Sequence, residues 1–164
     1  MPFDAFLKVE TVDGESTDEK HSNWIEILSY SWGVDQPQSG SASSIGSLSA
    51  ERANFAPFVI VKAIDKASPK LALGCADGSH FPKATLEICR AGGDKQPYME
   101  YKMTDVMVSS FRPGGTNHGS DIPLEEVAFV YGKIEWKYTQ TKVAGGAGSG
   151  NVAAGWDLKT NKKV

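Results

Sequence analysis

The feature that most constrains this chain is a strand, a glycine turn and a longer strand, reaching from residue 84 to residue 111. Ala84, Leu86 and Ile88 alternate with Thr85, Glu87 and Cys89, which is the two-residue period of a strand. Gly92 and Gly93 supply the positive φ angles that a tight hairpin needs, and Asp94 can bond locally to the backbone. Pro97 cannot donate to a ladder, so it belongs at the hairpin mouth or on an edge. Beyond it, Met99, Tyr101, Met103 and Met107 share one parity; Tyr98, Val106 and Val108 share the other with Glu100, Lys102 and Thr104. Neither face is purely polar, so both are expected to be partly covered. A small domain normally leaves one face to water, and the cover is expected from a second subunit or a lid. Asp105 interrupts the methionine face. It is expected to bond a neighbouring loop, because no second acid or histidine stands near it in sequence to make it catalytic.

The same two-sidedness recurs at residues 24–32, read as one strand. Ile25 and Ile27 take one face; Trp24, Leu28, Tyr30 and Trp32 take the other with Glu26. Such an aromatic stripe serves core or interface packing, or a sugar platform. Further strands are expected at residues 3–9, 54–64 and 124–139. In the last, Val127, Phe129 and Tyr131 share one parity and Ile134, Trp136 and Tyr138 the other. That flip predicts a β-bulge or sharp bend at Gly132, or else two separate strands. Residues 65–78 hold the one convincing helix, with Ser68 as its expected N-cap, Pro69 in the first turn and Gly78 as its stop.

Two segments differ in composition. Residues 33–50 are rich in Ser and Gly, long for a loop in a compact domain, with Ile45 and Leu48 the apolar residues a partner would grip. Residues 144–155 are a Gly/Ala/Ser linker, after which Trp156 and Leu158 can anchor the tail. The expected organisation is a single β domain over residues 1–143 and a flexible linker and tail over 144–164. Mainly β content, one short helix and many turns point to an all-β fold of two packed antiparallel sheets, a barrel-like sandwich.

The 17 basic and 20 acidic residues give a net charge of −3 and no basic footprint for nucleic acid. Residues 55–61, the longest uncharged apolar run, are too few to span a bilayer, and no signal peptide is expected from the first residues. Residues 10–21 read as a solvated acidic loop without the calcium-loop spacing. Cys75 and Cys89 are expected as free thiols rather than a bridge. Cys75 and His80 make a candidate metal pair, but with Cys89 as the one nameable third ligand no closed zinc set emerges. His21, His80 and His118 all fall in expected loops. No catalytic constellation, metal or cofactor is expected.

Taken together, Trp-Ile-Glu-Ile-Leu-Ser-Tyr-Ser-Trp-Gly at 24–33, Asp-Lys-Ala-Ser-Pro at 65–69, Ile-Cys-Arg-Ala-Gly-Gly-Asp-Lys at 88–95, Val-Ser-Ser-Phe at 108–111 and Tyr-Gly-Lys-Ile-Glu-Trp-Lys-Tyr at 131–138 resemble the Hcp family. These are tube proteins of type VI secretion systems, and residues 155–163 resemble the tail of the EvpC-like subgroup. The resemblance implies a homohexameric ring with a wide lumen. It implies rings stacked within a contractile sheath, a spike protein of the VgrG type at the tip, and effector proteins carried and chaperoned in the lumen. The protein would be cytoplasmic when assembled and then secreted, without membrane insertion. It also implies that residues 33–50, with Gly40, Ile45, Gly46 and Leu48, contact neighbouring subunits and rings. A ring needs two different patches on each subunit. The two-sided strands meet that need through Trp24, Tyr30, Trp32, Tyr98 and Tyr101, with Arg90, Lys102 and Glu135 as candidate polar contacts. A monomeric β-sandwich module binding a glycan or a protein remains the other reading, and an enzyme is disfavoured.

Overall fold

The hairpin forms where the glycines put it: Gly92 and Gly93 have φ of 86° and 66°. The computed structural model describes residues 2–39, 49–93, 95–119, 122–140 and 150–164. Among them the elements run β1 (Phe3–Val9), β2 (Ile25–Ile27), β3 (Ser29–Ser31), β4 (Val34–Asp35), β5 (Gln38–Ser39), β6 (Ser49–Ala50), β7 (Asn54–Phe55), β8 (Phe58–Ala63), α1 (Ser68–Asp77), β9 (His80–Arg90), β10 (Pro97–Gly114), β11 (Leu124–Thr139), β12 (Asn151–Asp157) and β13 (Lys162–Lys163). Gly40, Ile45, Gly46 and Leu48 lie outside the described residues, as does Asp94.

The fold is mainly β, and the strand pairings are antiparallel. Nine strands share one sheet, ordered β13-β12-β11-β10-β9-β1-β2, with β8 pairing to β11 and β3 to β8. The residues read as one strand at 24–32 break at Leu28, whose N–H donates to Val61 O. There the chain leaves β1 for β8, so the sheet curls until β2 and β8 touch. The expected strand at 54–64 breaks likewise at Ala56 and Pro57, where Ala56 N–H donates to Gly33 O. The inward residues, among them Leu7, Ile25, Phe58, Ile60, Leu86, Met103, Phe129 and Ile134, make one core, which Leu71 of α1 also enters.

The parity flip in β11 is real, and of the expected causes the bend holds while the bulge and the two separate strands do not. The β10–β11 register runs unbroken past Gly132, from Thr104↔Lys133 to Val106↔Tyr131; the shift comes between Val108 and Ser110. The flip is instead shared by three strands. Buried positions change parity between Phe81 and Ala84, between Met103 and Val106, and between Tyr131 and Ile134. The registers set Pro82, Asp105 and Gly132 side by side along this line. Asp105 is left-handed, φ 56°. A positive φ in a non-glycine residue reorients the backbone on either side. Pro82 has no N–H to lose and Gly132 no side chain to misplace. The sheet bends along this line, a crease through β9, β10 and β11, with no residue inserted at Gly132.

Ser68 is the first residue of α1 rather than its cap; Ala67 holds the cap position without a side-chain bond. Gly78 ends the helix in the left-handed conformation, φ 69°. Gly74 has a packing reason, since a Cβ there would lie 2.8 Å from Phe81 Cζ. Residues 151–163, placed by sequence in the linker and tail, add two strands to the sheet: β12 pairs with β11 from Thr139↔Asn151 to Lys133↔Asp157, and β13 pairs with β12. Trp156 stacks on Phe55 at 6.4 Å, and Leu158 packs against the core.

Candidate functional site

Three of the aromatic residues singled out in the sequence meet in one cluster. Tyr30 lies 5.8 Å from Tyr101 and 6.0 Å from Phe58; Trp32 lies 6.2 Å from Tyr101 and 5.4 Å from Trp136. The curl of β3 over β10 and β11 brings them together. Trp32 Nε1 donates to the Tyr131 hydroxyl, which donates on to Ala56 O at 2.8 Å. Burial pushes the Tyr101 hydroxyl up to about 12, with Tyr30 adding to the shift. Burial also raises Tyr131 and Tyr98. Trp24 stands apart, against His21 and under Lys8. Lys102 and Glu135 are cross-strand neighbours, and Arg90 is exposed at the end of β9.

Large apolar side chains are left exposed at opposite ends of the sheet order. Leu28, between β2 and β3, is 57% exposed; at the other end Val152 on β12 is 71% exposed and its cross-strand partner Tyr138 48%. Exposed apolar residues are ordinary singly, and others such as Leu73 and Ile122 are as exposed; a head-to-tail contact would use two unlike flanks such as these.

Two polar knots were missed by sequence reading. Lys62, fully buried, reaches Glu125 Oε2 at 2.7 Å, Asp65 Oδ1 at 2.8 Å and Ser68 Oγ at 3.0 Å. It ties β8, β11 and the start of α1. In the second, His21 is buried although it sits in a loop. Its Nδ1 lies 2.7 Å from Asp18 Oδ2 and its Nε2 2.7 Å from Glu87 Oε2, and Phe6 stacks on the ring at 4.3 Å. Cys89 Sγ is 4.0 Å from Nε2. The same parity of Glu87 and Cys89 on β9 was legible; the arrival of His21 over it from the 10–24 loop was not. Cysteine, histidine and aspartate in this order imitate a nucleophilic triad, but the thiol is wrong for it. Burial, with Glu87 and Asp18 adding, pushes Cys89 up to about 12, the reverse of activation. Both cysteines are free thiols, and Cys75 sits on α1 against the core, away from this cluster. Asp105 bonds His80 Nδ1 at 2.7 Å and pairs with Lys159 of the C-terminal turn, a structural role.

Comparison with known proteins decides the family. The family described as type VI secretion system effector, Hcp, matches residues 6–138. The chain belongs to the Hcp family. Protein hcp1 of Pseudomonas aeruginosa is 36% identical over 162 residues, 98% of each chain. Among solved structures, one titled as that of a type six secretion system protein has a TM-score of 0.93 at 40% identity, covering 99% of this chain and 100% of its own. Hcp1 from Salmonella typhimurium has a TM-score of 0.81 at 34% identity, with both chains fully covered. The Hcp fold therefore extends over residues 151–163 as well, beyond the span of the family match. Hcp proteins are structural, secreted components of type VI secretion, and among the described residues no helix is long and apolar enough to cross a membrane.

Proposed function

We propose that this Hcp chain is the tube subunit of a type VI secretion system. Six copies close a ring, rings stack within a contractile sheath behind a VgrG-type spike, and effector proteins travel in the lumen. Subunits assemble in the cytoplasm and leave with the tube. The observation that carries this reading is likeness over the whole chain to secretion-system relatives, 98% of the length on both sides. Exposed apolar side chains on different flanks of the sheet, Leu28 on one and Tyr138 with Val152 on the other, are in keeping with a cyclic assembly, which joins unlike surfaces. Residues 33–50 are the proposed contact between rings through Gly40, Ile45, Gly46 and Leu48. A glycan platform gains no support: Tyr30 and Trp32 turn their rings onto Phe58, Tyr101 and Trp136.

Size-exclusion chromatography with light scattering is the test. The expected mass is six times 17.6 kDa, and a plain monomer overturns the reading. Deleting residues 39–49 is expected to keep the ring and weaken stacking in negative-stain images; wild-type stacking by the deletion would remove that role from the loop.

A further inference from the structure

We propose that His21, Glu87 and Cys89 form a binding site for a divalent d-block cation of borderline softness, zinc being the type, which clips the 10–24 loop to β9. The candidate ligand atoms, His21 Nε2, a Glu87 carboxylate oxygen and Cys89 Sγ, all lie within 4.8 Å of one another. Imidazole, carboxylate and thiolate are the three donor types that zinc takes, and three protein ligands leave a fourth position for water.

The surroundings are built as such sites are built. Asp18 holds Nδ1 at 2.7 Å, which points Nε2 at the other two donors; a carboxylate behind a ligating histidine is the usual orienting device. The ring cannot swing, because Phe6 stacks on one face at 4.3 Å and Trp24 meets it edge-on at 4.8 Å. Glu87 and Cys89 are two residues apart on one face of β9, whose ladder with β1 fixes both backbones through Phe6↔Glu87 and Asp4↔Cys89.

Charge favours a cation. Asp4, Asp18 and Glu87 surround the thiol, while Lys95 lies 3.3 Å from both Asp4 and Asp18. Burial first and these carboxylates second resist the Cys89 thiolate; the carboxylates are also the field a dication needs, and its binding releases to solvent both the thiol proton and the Nε2 proton that Glu87 accepts. The Nε2–Oε2 separation of 2.7 Å is a hydrogen-bond distance. Tetrahedral ligation, with Zn–N and Zn–O near 2.0 Å and Zn–S near 2.3 Å, requires the carboxylate to draw back from Nε2 by roughly 0.5 Å and Sγ, 4.0 Å from Nε2, to close in by about as much. Glu87, whose side chain is 18% exposed, is the least buried of the three ligands.

The test is a titration of untagged full-length protein with Co²⁺, a spectroscopic stand-in for Zn²⁺. One thiolate-to-cobalt charge-transfer band should grow to saturation at one equivalent per chain and be bleached by Zn²⁺. Cys89→Ser should abolish it and Cys75→Ser should keep it. Glu87→Gln should weaken binding at least about tenfold. Asp18→Asn should weaken it about 10–100-fold yet restore the full band at saturation, the signature of a positioning residue. Zn²⁺ should raise the Tm of the wild type and leave that of Cys89→Ser unchanged. His21→Ala removes a buried ring and endangers the fold, so the cysteine variants carry the test. No band in folded wild type, or a band that survives Cys89→Ser, overturns the site.

Discussion

Two ionic clusters bridge neighbouring strands, Lys62–Glu125 across β8 and β11 and His80–Asp105 across β9 and β10, and they differ sharply in exposure to solvent. Lys62 and Glu125 are at most 2% exposed and bonded on several sides. His80, Asp105 and Lys159 tie the crease to the C-terminal turn with side chains 58%, 32% and 66% exposed. A buried pair is defined by what happens when one partner goes, because the survivor keeps its charge without water. An exposed pair loses little, because water replaces the partner. Short contacts in both clusters therefore do not mean equal weight.

Mutagenesis can break that contrast. Lys62→Met should cost about 3–5 kcal/mol in denaturant unfolding, since Glu125 is stranded in the core. Adding Glu125→Leu should recover most of the loss; a double variant as unstable as the single would show that packing, not charge, sets the penalty. Gly132→Val should be intermediate, about 1 kcal/mol. Its Cβ would meet Lys159 Cε at 2.8 Å and Asp105 Cβ at 3.4 Å, and the lysine end can move aside. A loss as large as that of Lys62→Met would mean that the crease, not the core pair, is the more sensitive region. Asp105→Asn should shift Tm by no more than about 2 °C at neutral pH.

The same aspartate sharpens the contrast through pH. Lys159 first and His80 second hold the Asp105 carboxyl below the usual range; His21 and then Lys95 do so for Asp18. A depressed folded-state value stabilises fully above the free aspartate value of about 3.9 and fades as pH falls through the lower folded value. Tm against pH should therefore drop on that acid limb, and Asp105→Asn should make it shallower. A limb of unchanged steepness would take Asp105 out of the linkage.

Periodicity made much of the fold legible. The hairpin, the helix and the long strands lie where alternation and glycines put them, because those signals are local. What escaped was set by partners far along the chain. The break at Leu28 answers to β8, and the burial of Lys62 answers to Glu125. The crease needed Pro82, Asp105 and Gly132 to be neighbours, and only the register makes them so. The aromatic cluster was legible as residues but not as a cluster: Tyr30, Trp32 and Tyr101 converge only once the sheet curls. His21 carried no signal of burial, since its loop reads as acidic and wet.

β11 is shared between two neighbours along one rim. Leu124 to Phe129 lie beside β8, and from Lys133 onward the rim belongs to β12. The last strands thus act as a hem over a raw selvage of amides and carbonyls that would otherwise invite the edge of any passing sheet. A reporter or cargo grafted onto this protein should hang beyond residue 163 and leave that stitching whole.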